Sequence, residues 1–183
     1  MRRALPALLL LAALVLSGLT LHFALSYAAA LRDNATIRAL HAGRDAEPRP
    51  GAGSQAIHAR VLFLSWRGRI AEAEALGPAL AAAGPGLRSG AFLSIGNARL
   101  RTAFELIETN RVDDAIPEVN LAKQAYRAAL AAWPGNYDAK VNLDLAMRLV
   151  RDMPRPGADE SEEPETRPRQ LWTDLPGLPR GAP

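Results

Sequence analysis

Hydrophobic and polar positions divide the chain into three stretches. Residues 4–31 contain no Asp, Glu, Lys or Arg, residues 32–152 mix apolar and charged positions at helical spacing, and residues 153–183 are rich in proline and acid. A helix rises about 1.5 Å per residue and needs about 20 residues to cross the hydrocarbon of a bilayer. The first stretch is long enough, with room for tilt, so residues 1–31 are read as a transmembrane anchor. A cleaved signal peptide is the rival reading, because Ala28-Ala29-Ala30 offers small residues for cleavage. Its apolar region would run to only about 7–15 residues, however, and this one is about twice that. Arg2 and Arg3 precede the run, so the positive-inside rule puts the N-terminus in the cytoplasm and the remainder outside, the periplasm if the cell is Gram-negative.

Residues 32–54 are expected to form a juxtamembrane helix and linker. Ile37, Leu40 and His41 share one face, and Glu47–Ser54 (EPRPGAGS) reads as a linker by its proline and glycine. Residues 55–152 then show repeated 3.6-residue periodicity. Leu93, Leu100, Ala103, Phe104 and Ile107 form one stripe. Val119, Ala122, Tyr126, Ala129, Leu130 and Trp133 form a second, and Ala139, Leu143, Ala146, Leu149 and Val150 a third. Breaks fall at Gly84-Pro85-Gly86, Asn110-Arg111 and Pro134-Gly135. The expected fold is therefore all-α: helical hairpins in series, each too thin to bury its face alone.

The spacing inside the hairpins is that of degenerate tetratricopeptide-like repeats. Gly68-Arg69-Ile70, Ala73 and Pro85 have the offsets of the second half of such a repeat, and Ala122, Tyr126, Ala129-Leu130 and Pro134 match the pattern at every position. A small Ala lets two helices approach, the aromatic four residues on fills the groove beside it, and Pro ends the helix. Asn136–Asp144 reads as the opening helix of a further repeat. Gly77 stands where an aromatic is expected, and Gly77-Pro78 should kink its helix. Pro117 should fall in the first turn of the helix it begins, stretching the second hairpin. Two and a half units result.

Residues 153–183 form a Pro-rich, acidic tail expected to be disordered. Within it Trp172, Leu175 and Leu178 are apolar anchors in an otherwise solvent-loving stretch. They suit docking, either onto this protein's own groove or onto a partner.

Composition narrows the chemistry. There is no cysteine, which removes disulfides, thiolate nucleophiles, Cys-based zinc sites and lipid attachment at a lipobox. The formal charge of +3 is an arginine bias spread along helices, with no basic block for nucleic acid. His22 lies inside the apolar run, where it is either functional or tolerated. His41 and His58 have no partner at metal spacing. No nucleophile–base pair, P-loop or dinucleotide fingerprint occurs. The acidic run at Asp159, Glu160, Glu162, Glu163 and Glu165 lacks the alternating ligands of a Ca²⁺ loop and reads as solvated. Trp66 and Trp133 end helices and suit packing. No catalytic residue, metal ligand or cofactor is expected.

The layout resembles the MxaK-type accessory proteins of bacterial methanol oxidation. Ala122–Pro134 (AKQAYRAALAAWP), Tyr137–Leu149 and Leu171–Pro179 (LWTDLPGLP) carry the likeness. The resemblance implies a membrane-anchored periplasmic helper in maturing a pyrroloquinoline-quinone methanol dehydrogenase, through Ca²⁺ insertion. The expected function is accordingly non-catalytic: protein–protein contact through a groove lined by Leu93, Asn97, Arg101 and Asn142, with Trp172, Leu175 and Leu178 as tail anchors. A direct Ca²⁺ carrier using the acidic tail and a generic envelope scaffold are the alternatives.

Overall fold

Alanine and leucine favour helix, and helix is what the chain forms. In the computed structural model the described residues, 4–152, make six α-helices and one 3₁₀ turn, with no strand among them: α1 (Ala4–His41), α2 (Ser54–Trp66), α3 (Ile70–Ala75), the turn Pro78–Leu80, α4 (Pro85–Glu108), α5 (Val112–Ala132) and α6 (Tyr137–Asp152). The tail anchors Trp172, Leu175 and Leu178 lie outside the described residues. α1 is one unbroken helix, long and apolar enough to cross a membrane, and its leucines from Leu8 to Leu25 all face outward.

Three helices end by the same device. Gly43 (φ 77°), Gly68 (φ 74°) and Asn110 (φ 59°) adopt the left-handed conformation that glycine and asparagine tolerate. In each case two N–H groups turn back onto the last carbonyls: Gly43 to Leu40 and Arg44 to Ala39, Gly68 to Ser65 and Arg69 to Leu64, Asn110 to Ile107 and Arg111 to Leu106. The reversal is immediate, so α3 starts at Ile70 and α5 at Val112. Arg69 and Arg111 each pair with an acid three residues on, Glu72 and Asp114.

Descending helices stop differently. Gly77-Pro78 does more than kink α3: the helix ends at Ala75 and a 3₁₀ turn follows. Pro85 then opens α4 at a position where no N–H is needed. Trp133, ahead of Pro134, is extended (φ −147°, ψ 99°) and ends α5. Pro117 departs from expectation. It sits inside α5, beyond the first turn, because Asn110 closes α4 early enough for α5 to begin at Val112. The extra length of the second hairpin lies in both its helices, 24 residues in α4 against 13 in α2 and 21 in α5 against 6 in α3.

Two apolar clusters fill the body, and α4 contributes to both. Val61, Leu64, Ile70, Ala73, Leu80, Ala91, Ile95 and Ala98 join α2, α3 and α4. Leu100, Ala103, Ala115, Val119, Ala122, Tyr126 and Ala146 join α4, α5 and α6. So many alanines permit close helix approach, with the fully buried Tyr126 as the largest filler. At one end a polar chain adds direction: Asn136 Nδ2 donates to Ser89 Oγ, Ser89 Oγ donates to the Ala129 carbonyl, and Asn136 Oδ1 accepts from the Ala139 N–H. Asn136 thereby caps α6 and ties it to α4 and α5.

The stretch between α1 and α2 is strapped down. The Asp33 carboxylate accepts from the Gly53 N–H at 2.8 Å and pairs with Arg49 at 3.1 Å. Asp45 pairs with the buried Arg60 and with Arg69, and Arg67 Nη2 donates to the Gly43 carbonyl. Proline and glycine thus shape this segment without loosening it.

Candidate functional site

The contacts fix the sense of each helix. Asp33 meets Gly53 and Gly43 meets Arg67, so α2 runs in the same direction as the end of α1. Gly90 lies against His58 and Arg101 against Ser65, so α4 does too. Ser89 meets Asn136 and Asn97 meets Asn142, which aligns α6 with α4. α2, α4 and α6 are therefore the three first helices of successive hairpins, side by side and parallel.

Three of the four groove residues expected from sequence come together on that face. Asn97 Oδ1 accepts from the Asn142 amide at 2.8 Å and from the Tyr126 hydroxyl at 3.0 Å. Arg101 Nη2 donates to the Ser65 carbonyl at 2.8 Å, and its guanidinium lies 5.5 Å from the centre of the Trp66 ring. A cleft of about 400 Å³ runs between α2 and α4, lined by Leu62, Ser65, Trp66, Ser94, Asn97 and Arg101. Trp66 is 78 % exposed, so its face is open to a partner. Leu93 belongs elsewhere: it packs half-buried against the second core cluster, which its place on the Leu93–Ile107 stripe already required.

Chemically, the strip Trp66–Arg101–Asn97–Asn142 offers an aromatic face, a delocalised cation and two amides. Arg101 spends one donor on Ser65 and keeps others for a carbonyl or carboxylate. Burial pushes the Tyr126 hydroxyl well above its ordinary range, so it stays a proton donor to Asn97 and fixes that amide's orientation. The packing role expected for Trp66 is not what the structure shows, since the ring is largely exposed. Its position two residues before Gly68, at the exposed end of α2, is the signal that marks it as a surface group.

A second cavity, about 430 Å³, lies between α2, α4 and α5. It is lined chiefly by alanines with Val61, Leu80, Phe92 and Ile95, and Arg88 is its one charged group. Among the described residues no three His, Asp or Glu side chains gather as a metal site would need.

Fold and surface define a protein of serial helical hairpins with one N-terminal helix long and apolar enough to cross a membrane. No protein-family model, curated protein or solved structure matches the chain.

Proposed function

We propose that this protein is a non-catalytic, membrane-anchored adaptor that grips a partner polypeptide in the groove across α2, α4 and α6. The single observation behind this reading is the strip Trp66–Arg101–Asn97–Asn142, where the exposed Trp66 and Asn97 and the half-buried Arg101 and Asn142, from three parallel helices, converge beside an open cleft. An extended peptide suits it: amides bind main-chain groups, the indole takes an apolar side chain, and Arg101 takes an acid. The repeats are of the tetratricopeptide-like kind. Residues 4–31 hold the body to the inner membrane with the N-terminus in the cytoplasm and the body in the periplasm. The likeness to MxaK-type accessory proteins makes the partner a component of a pyrroloquinoline-quinone methanol dehydrogenase system, with this chain assisting Ca²⁺ insertion by contact with protein.

The test is affinity capture from solubilised membranes with Arg101→Glu and Trp66→Ala variants. Partner recovery should fall at least tenfold with helicity unchanged. Full recovery with both variants would overturn the groove. Ca²⁺ titration of the full chain separates the alternative reading, since a direct carrier binds at millimolar Ca²⁺ or tighter.

A further inference from the structure

The two ends of the hairpin stack differ in charge. One end is made by the turns after α1, α2 and α4, and these read Gly43-Arg44-Asp45, Arg67-Gly68-Arg69 and Glu108–Asp114, each carrying two or more charged residues. The other end is made by residues 50–57, 75–87 and 128–137, and none of these three stretches holds an Asp, Glu, Lys or Arg. Trp133 and Tyr137 stand exposed there, 49 % and 73 %, beside the exposed Ala79, Ala81 and Pro134.

The uncharged end is also the one nearest the apolar part of α1. Asp33 lies two residues past Leu31, and its carboxylate holds the Gly53 N–H at the foot of α2. Because α4 and α6 are aligned with α2, Pro85 and Tyr137 start at that same foot, and Trp133 closes α5 beside them. Residues 4–31 span about 42 Å at about 1.5 Å per residue, more than the roughly 30 Å hydrocarbon, so Leu31 and Asp33 sit at headgroup depth.

We infer that this end of the body rests on the bilayer surface, with Trp133 and Tyr137 seated among the lipid headgroups. The inference relies on α1 spanning that bilayer. Aromatic rings with a polar edge favour this depth, and charged groups avoid it unless they can reach phosphate or water. The charged groups near this end include Arg32, Asp33, Arg49, Arg88, Glu47 and Asp138. Arg49 is already neutralised by Asp33, Arg32 suits lipid phosphate, and Arg88 turns inward, donating to the Ala81 carbonyl and lining the cavity between α2, α4 and α5. Glu47 is 87 % exposed in its side chain and pairs at 4.0 Å with Arg60 of α2, away from the foot. The opposite end, with its charged turns, remains free for solvent and partner. The occupant is therefore the lipid surface itself, continuous with the span.

Two single-tryptophan versions of the full chain decide it, in phosphatidylcholine nanodiscs with or without bromine on the upper acyl carbons. Trp66→Phe with Trp172→Phe leaves Trp133 at the uncharged end; Trp133→Phe with Trp172→Phe leaves Trp66 at the other. Brominated lipid should quench Trp133 at least twofold and leave Trp66 unchanged. No quenching of Trp133, or equal quenching of both, would overturn the surface contact. Alkaline carbonate extraction of membranes, run in parallel, separates the two layers of the argument. Release of the chain would overturn the span and the contact together, whereas retention with unquenched Trp133 would overturn the contact alone.

Discussion

The ring of Tyr126 occupies the space where residue 96 would carry a side chain: a β-carbon on Gly96 would lie 2.5 Å from Tyr126 Cε1. Tyr126 is fully buried, so the ring cannot swing clear. Gly96→Ala should therefore destabilise, because overpacking costs about 1–3 kcal/mol and outweighs the roughly 1 kcal/mol that alanine gains in a helix. The melting temperature of the full chain in detergent should fall by several degrees. Pairing the change with Tyr126→Leu should recover part of the loss, since the two sites are in contact. A melting temperature at or above that of the parent would show that the helices can part at no cost.

Asp33 fastens the foot of α2 to α1. Asp33→Ala removes the acceptor for the Gly53 N–H and the partner of Arg49. The stability cost should be modest, about 1 kcal/mol. Amide hydrogen exchange is the sharper readout: Gly53 should exchange at least tenfold faster while α4 and α5 keep their protection. Unchanged exchange at Gly53 would mean that the strap is held by Asp45 and Arg60 alone.

Burial pushes the His58 imidazole below its ordinary value of 6.5. Its Nε2 is packed against Gly90 without a hydrogen-bond partner among the described residues. The unfolded chain therefore binds the extra proton first, and stability should drop as pH falls below about 6.5 towards the lower folded value, with no effect above it. A melting curve taken from pH 7.5 to 5 should show the decline, and His58→Gln should flatten it. Asp45 acts in a different window. Hydrogen bonds from Arg60 and then Arg69 hold its carboxyl below 3.8, so its contribution is present above that value and is lost only in stronger acid. A His58→Gln profile identical to the parent's would dismiss the imidazole as the source.

Asn136 carries two jobs, capping α6 and reaching Ser89. Asn136→Ala should cost about 1–3 kcal/mol, from the lost cap and from leaving the buried Ser89 with one bond fewer. The loss should be local: exchange protection should fall through α6 before it falls in α2. Uniform loss across all helices would argue that α6 folds as one unit with the rest.

Periodicity located the helices because alanine and leucine stripes report burial directly. The breaks at Gly84-Pro85, Asn110-Arg111 and Pro134-Gly135 matched real reversals, since proline and left-handed residues act locally. Asn97 and Arg101 share a face of α4 because helical spacing encodes it, whereas Asn142 joins them from α6, 45 residues on, through the parallel packing of the hairpins. What local pattern did not carry was pairing over long separations. The salt bridges that strap residues 42–53 span 15 to 24 residues, and composition made the segment look loose. The Pro117 expectation fails because it rests on the clean match at Ala122, 49 residues after Ala73, rather than on Ala115, 42 residues after it. Gly68-Arg69-Ile70-Ala71-Glu72-Ala73 and Asn110-Arg111-Val112-Asp113-Asp114-Ala115 are the equivalent turns, and aligning them would have started α5 at Val112. Leu93 was placed in the groove by position in its hairpin although its stripe pointed to the core.

α1 stays helical ten residues past Leu31, and Asp33, Gly43 and Asp45 brace it against α2 and the turn after it. Such an arrangement works as a mast rather than a tether. Asn97 stands about 18 Å along α4 from Pro85, so on the proposed reading a partner bound there would be held at a height set by helical rise and not by slack in a linker. Thermal motion of that partner would pass into the lipid as tilting of a single rod, so altering the length of the apolar run would raise, lower or lean the whole platform without touching the groove residues.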